Sequence, residues 1–245
     1  MPSSSILHPS SFSPEWLYAE LPMMEYQKAW DLQHRLVEER VTGTLARDVV
    51  LLLEHEPVFT LGRRGGQENL MVSPEFLRRS GIPVVHIERG GDITYHGPGQ
   101  LVAYPIVNLK EARIRVVDFV TALEEVMIRL AAQWDVEAER DPRNRGVWVG
   151  DNKLGSVGIS VRRGVSYHGF AFNVHPSLDH FGWIHPCGLK GVGVTTLEME
   201  AGREIFMHEV RAGARRCFEA VFGIRMRRIG WESLLDTDEQ GRLET

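Results

Sequence analysis

One sulfur in this sequence is placed for covalent chemistry, and one amine is a candidate to activate it, although Lys153 by position alone reads as an ordinary turn lysine. Cys187 lies in FGWIHPCGLKGVGVTTLE, inside a Pro-Cys-Gly turn with neither helical nor alternating periodicity around it. A thiol held in such a loop faces a ligand or solvent more readily than a core. Cys217 gives the contrast: it shares a helical stripe with Val210, Ala214 and Val221 and reads as a buried core thiol. An unperturbed thiol titrates near ~8.5, so a nucleophilic cysteine needs a neighbour that raises its thiolate fraction. Only four lysines are available: Lys28, Lys110, Lys153 and Lys190. Lys153 follows a Gly-Asp-Asn turn at the head of an apolar strand. If that strand runs unbroken, Lys153 shares a face with Val157, Ile159 and Val161 and is partly desolvated. Burial disfavours the ammonium form. A neutral amine would take the thiol proton, and a retained ammonium would stabilise the thiolate; the pattern leaves both open. Gly155 and Gly158 are points where the strand could bulge and change the face.

A second stretch, RGGDITYHGPGQLVAYP at 89–105, has the composition of a binding loop. Gly90, Gly91, Gly97 and Gly99 allow the backbone to approach a ligand closely. Pro98-Gly99 is a natural turn pair. The Lys-Ser/Thr ending of a phosphate-binding P-loop is absent, as is a G-x-G-x-x-G opening a helix. Arg89, Tyr95, His96 and Gln100, embedded among the glycines, argue for a site rather than a plain turn. A metal centre is the competing chemistry. His175, His180, His185 and Cys187 offer zinc-type ligands, but their intervals match neither a zinc finger nor H-E-x-x-H. No metal is expected.

The elements that would position these groups follow from periodicity. EYQKAWDLQHRLVEERV and IRVVDFVTALEEVMIRLAAQW carry apolar stripes at helical spacing, as does EIFMHEVRAGARRCFEAVFG, with Gly223 as C-cap. DVVLLLEHEPVFTLG reads as a buried strand stopping at Pro57, with a loop after it. VVHIER and LVAYPIVNL read as strands flanking the glycine-rich stretch, and GVWVGDNKLGSVGISV and SYHGFAFNV as successive strands joined by tight turns. This order predicts a single α/β (α+β) domain with a mixed, mostly antiparallel sheet packed by helices. Residues 1–20 are expected to be a flexible extension, 21–224 the catalytic domain and 225–245 a tail.

RGG at 89–91, TYHGPGQ at 94–100 and Tyr104 together resemble the signature of the lipoyl(octanoyl) transferase family. LLLEHEPVFTLG, NKLGSVGISVRRGVSYHGFAFNV and HPCG at 185–188 agree with it, so the resemblance runs from about residue 20 to 224. It implies the biotin/lipoate protein ligase fold and a Cys187/Lys153 catalytic pair. The family's substrate-contacting segments fall on Arg89, Gly90, Gly91, Asp92, Ile93, Thr94, Tyr95 and His96. Two more fall on Ser156, Val157 and Gly158, and on Gly169, Phe170 and Ala171. His55 is a further expected pocket residue, beside His96.

The implied reaction is ping-pong transfer of an octanoyl group from octanoyl-acyl carrier protein to a lysine of a lipoyl domain. The acceptors would be the lipoyl domains of 2-oxoacid dehydrogenase complexes and the glycine cleavage H protein. Neither ATP nor any other cofactor is required. Donors to the oxyanion would come from backbone N–H groups around Gly188 or the glycine-rich loop. An ATP-dependent lipoate or biotin-type ligase is the alternative, and it needs no cysteine. A non-catalytic acyl-binding module is a third possibility.

Composition sets the outer limits. With 245 residues and a net charge of −5, the chain has no bulk case for nucleic acid. The expected partners are acidic, so local positive charge is needed; Arg143, Arg145, Arg162 and Arg163 flank the lysine strand and would supply a docking patch. Two cysteines without a disulfide framework suit a reducing compartment. No apolar run approaches the ~20 residues of a membrane span. The first residues resemble neither a secretory signal nor a mitochondrial presequence, so a cytoplasmic location is expected.

Overall fold

The run Val49–Leu53 has no polar position to turn toward water, so it must be covered on both faces. A computed structural model describes residues 13–66, 69–184 and 192–235. In it this run is strand β2, with Val50 and Leu52 in one core cluster and Val49, Leu51 and Leu53 in another. Helix α1 (Tyr26–Thr42) covers the second cluster, inserting Ala29, Leu32, Leu36 and Val37. Helices α3 (Val116–Ala132) and α5 (Met207–Phe222) cover the first, through Phe119, Leu123, Met127, Val210 and Phe218. Gly43 and Gly223 end α1 and α5 in the left-handed conformation, φ 85° and 65°, which no other residue adopts as cheaply.

The remaining strands are β1 (Glu15–Glu20), β3 (Val58–Leu61), β4 (Val84–His86), β5 (Ile93–His96) and β6 (Gln100–Ile106), followed by β7 (Glu139–Asp141) and β8 (Asn144–Val149). After them come β9 (Asn152–Arg162), β10 (Val165–Asn173), β11 (Gly193–Val194) and β12 (Arg225–Arg228). The main sheet has the order β12-β1-β2-β6-β10-β9-β8-β7, with β11 added beside β9. It is mixed and mostly antiparallel: β1 runs parallel to β12 and β2, β11 runs parallel to β9, and the other pairs are antiparallel.

Two expectations from sequence need correction. Glu15–Glu20 is not part of a flexible extension, nor Arg225–Arg228 of a loose tail. They pair with each other, and β1 lies between β12 and β2. Trp16, Leu17 and Ala19 are buried, which is the physical reason the segment is ordered. The chain after Pro57 is also not a loop. It enters β3, the centre of a second, three-stranded sheet ordered β4-β3-β5. Proline lacks the N–H a ladder needs, so the chain leaves one sheet there and starts the other.

The β8–β9 ladder has one irregularity that governs the site. Val147 pairs with Gly155 and Trp148 with Lys153, so Leu154 has no partner in this ladder. This is a β-bulge, and it reverses which face the residues before it occupy. A Cβ on Gly155 would meet Met127 of α3. Lys153, on the far side of the bulge, therefore lies on the opposite, α1-facing side of the sheet. Its Nζ is 5.2 Å from the ring centre of Trp148. The face shared with Val157, Ile159 and Val161, which an unbroken strand would give, is not the one observed.

Trp16→Ala should lower stability by about 3–5 kcal/mol, the usual loss for a buried aromatic. A chemical unfolding curve for the variant that overlays the parent would show that β1 is not an integral strand.

Candidate active site

Between the α1-facing side of the β9–β10 hairpin and the glycine-rich loop lies a cavity of about 990 Å³. The loop is tied to both sheets. Gly90 N donates to Ile159 O of β9 at 3.1 Å, while Gly62 N and Arg64 N donate to Asp92 O and Gly91 O, each at 3.1 Å. The approach is close enough that a Cβ at Gly158 would stand 2.9 Å from Gly90 O. Gly91 turns the chain with φ 98°. Arg89 fixes the loop from inside: Nη2 donates to Thr60 O and Thr60 Oγ1, both at 2.9 Å, and Nη1 to Gly90 O at 3.0 Å.

The expected substrate segments converge on this cavity. Arg89, Gly90, Gly91, Asp92, Ile93, Thr94 and His96 line it, with Ser156, Val157 and Gly158 from β9 and Gly169, Phe170 and Ala171 from β10. Lys153 lines it as well. Tyr95 does not. Strand β5 alternates, and Tyr95 points the other way, into a cluster with Phe59 and Phe181, its ring stacked on His180 at 4.7 Å. His55 is absent from the lining too; it stands behind Tyr104, fully buried.

One end of the cavity is a wall of neutral polar groups whose protons can be placed. His55 Nδ1 is 3.1 Å from Met24 O, an acceptor only, so Nδ1 carries the hydrogen. Its Nε2 then accepts from the Tyr104 hydroxyl at 2.7 Å. Gln100 Nε2 donates to Asn173 Oδ1 at 2.9 Å and Tyr95 O at 3.2 Å, which leaves Gln100 Oε1 to accept from His96 Nδ1 at 2.7 Å. Burial pushes His55 down to about 4 and His96 to about 3, so both rings are neutral. Burial raises the Tyr26 and Tyr104 phenols above their ordinary value, and both keep their protons.

The other end holds the amine. Lys153 is only 4% exposed, and its Nζ donates to Asn144 Oδ1 at 2.8 Å. Glu124, from α3, accepts from Gly146 N at 3.0 Å and from Arg145 at 3.2 Å. Arg140, Arg143 and Arg145 rim that end, each ion-paired: Arg140 with Glu124 and Glu125, Arg143 with Asp141 and Asp151, Arg145 with Glu124. Arg162 and Arg163 do not belong to it. They sit at the far end of β9, nine or more residues beyond Lys153, and pair with Glu38 of α1 at 2.9 and 3.6 Å. The four arginines do not make one patch.

Cys187, His185 and Gly188 lie outside the described residues, so the expected sulfur–amine contact and the metal-type cluster are not described. What is described is the strand six residues beyond Cys187: Gly193 and Val194 pair with Asn152 and Lys153. Cys217 is buried as expected, its Sγ accepting from Gln133 at 3.0 Å, and burial pushes the thiol up. Tyr26, Thr60, Asn144 and His168 also build the site, and sequence periodicity gives no signal of that role. Tyr26 is marked only as a helix-stripe position, and Thr60, His168 and Tyr104 only as members of the stretches that resemble the family. Among the described residues no helix is long and apolar enough to cross a membrane.

Comparison with known proteins places the fold and the family. The structure of a bi-partite lipoate protein ligase from Thermoplasma acidophilum superposes with a TM-score of 0.69, covering 90% of each chain at 16% identity. That defines the class of fold. The family model of the lipoyl protein ligase A/B catalytic domain matches residues 25–219. An octanoyltransferase of Desulfotalea psychrophila is 50% identical over 206 residues, 83% of this chain and 92% of that protein. One from Syntrophobacter fumaroxidans is 48% identical over 203 residues, 81% of this chain and 89% of that protein. The chain belongs to the lipoyl protein ligase A/B catalytic-domain family and, within it, to the octanoyltransferases: it is an acyltransferase.

The neutral histidines make a pH prediction. His55 and His96 titrate lower in the folded chain than unfolded, so the unfolded state binds more protons below about 6.5. Their contribution is complete above that pH and is lost as pH falls toward about 4 and 3. Urea midpoints should decline across this window, and His55→Gln, which keeps a polar partner for Tyr104, should flatten the decline. An unchanged slope in the variant would refute the assignment of His55.

Proposed function

We propose that the enzyme transfers an octanoyl group from octanoyl-acyl carrier protein to a lysine of a lipoyl domain, through a thioester on Cys187. The observation that carries this reading is the placement of Lys153. Its amine is buried at one end of a large cavity, next to a strand that begins six residues after Cys187. The relatives at 48–50% identity are octanoyltransferases, whereas the lipoate ligase neighbour is 16% identical.

In the first step the Cys187 sulfur attacks the carrier thioester carbonyl. Lys153 takes the thiol proton and returns it to the departing carrier sulfur. One thioester replaces another, so the step is nearly isoenergetic. In the second step the lipoyl-domain lysine attacks the acyl-cysteine, an amide forms, and the Cys187 thiol is regenerated. The exchange of thioester for amide draws the sequence forward. No ATP enters either step. The acyl chain occupies the cavity between the hairpin and the glycine-rich loop. Seven saturated carbons at about 0.8 kcal/mol each give an upper limit of roughly 5–6 kcal/mol of binding. Arg143 and Arg145, on the rim by Lys153, are the charges that meet an acidic carrier.

Incubation with octanoyl-acyl carrier protein should add one octanoyl increment to the intact mass, absent in Cys187→Ala. Lys153→Ala should form the adduct at least about a hundredfold more slowly, the range for loss of a general base. An adduct that persists in Cys187→Ala, or full ATP-dependent ligation by that variant, would overturn the reading.

A further inference from the structure

At the end of the cavity away from Lys153, His168 has three properties that packing does not require. It is 1% exposed, and both ring nitrogens lack a hydrogen-bond partner among the described residues. Its φ is 55°, a left-handed conformation that costs a non-glycine residue stability. It also lines the cavity, its ring 6.3 Å from that of Tyr104. The backbone around it is held for this purpose: His168 N donates to Gln33 Oε1 of α1 at 2.8 Å rather than to β6. An unpartnered imidazole in a buried wall is unfavourable unless the occupant of the cavity supplies the partner.

The chemistry of the ring selects that partner. Burial holds His168 down to about 3, so it is neutral, with one nitrogen donating and the other accepting. A hydroxyl, which also donates and accepts, is its complement. A charged group would need desolvation that this wall does not repay. His168 pairs with Ile159 of β9, about five strand positions from Lys153 once the bulge is allowed for, or roughly 16 Å. That span suits an extended eight-carbon chain lying between the two side chains.

We propose that His168 is a specificity-determining residue that hydrogen-bonds a neutral polar group at the distal end of the bound acyl chain, so that chains hydroxylated at that end are substrates. The inference rests on the acyl-transfer reading above, but its test separates the two. Transfer to an apo-lipoyl domain is measured with octanoyl- and 8-hydroxyoctanoyl-acyl carrier protein, and the ratio of kcat/KM for the hydroxylated over the plain donor is compared. The ratio for the parent enzyme should lie within about threefold of one, because the hydrogen bond offsets the cost of burying the hydroxyl. Glycine and asparagine both adopt a left-handed φ. His168→Gly should lower the ratio about tenfold, and His168→Asn should restore part of it.

A parent that transfers octanoyl but rejects the hydroxylated donor overturns this inference and leaves the acyltransferase reading intact; transfer of neither donor overturns both. An unchanged ratio in His168→Gly also overturns it. Should the variants fail to fold, the parent alone decides: free 8-hydroxyoctanoate must raise Tm at least as much as octanoate, and protection by octanoate only is the contrary result.

Discussion

The site depends on how closely one backbone lies against another. Gly90 and Gly91 bring the 89–92 loop down onto β9, and Gly158 gives it space to do so. A methyl group at Gly158 would stand 2.9 Å from Gly90 O and push the loop off the hairpin. With the loop seated, the hairpin forms one wall of the cavity and the loop the other. Arg89, anchored on Thr60, carries the connection on into the small sheet. The two sheets are therefore joined through the 89–92 loop.

A second backbone feature decides the chemistry. The bulge at Leu154 moves Lys153 from the α3 side to the α1 side of the sheet. There it meets the cavity, Asn144 and the ring of Trp148. β11 then pairs beside the bulged residues and brings the chain that follows Cys187 to the same place.

The two ends of the cavity differ in electrical character. The Lys153 end is ionic, its rim arginines paired with Glu124, Glu125, Asp141 and Asp151. At the other, His55, His96 and His168 are neutral rings and Tyr26 and Tyr104 neutral phenols, all buried. Burial holds His96 and His168 unprotonated and the Arg89 charge adds to it, against the Glu88 carboxylate that opposes it at His168. Such a wall is compatible with an uncharged chain and discriminates through hydrogen bonds.

The segments expected to meet a substrate came from the family resemblance; the sequence by itself determined the three long helices and strands β2, β4, β6, β8, β9 and β10. These follow from short-range patterns: apolar period, capping glycines, and glycines where backbones must touch. The motif at 89–105 also marked its own role, because few sequences combine glycine, arginine and histidine so densely. Tertiary structure decided the rest. It made 15–20 a strand through pairing with residues over two hundred positions away, a long-range contact that no local pattern encodes. It turned Tyr95 out of the cavity and set His55 behind Tyr104, since each depends on which face of a short strand is lined. It separated Arg162 and Arg163, at the end of β9 and tied to Glu38, from Arg143 and Arg145 at the start of β8. Above all it set the direction of Lys153, because a one-residue bulge inverts a two-residue period, and only the register with β8 fixes where that bulge falls.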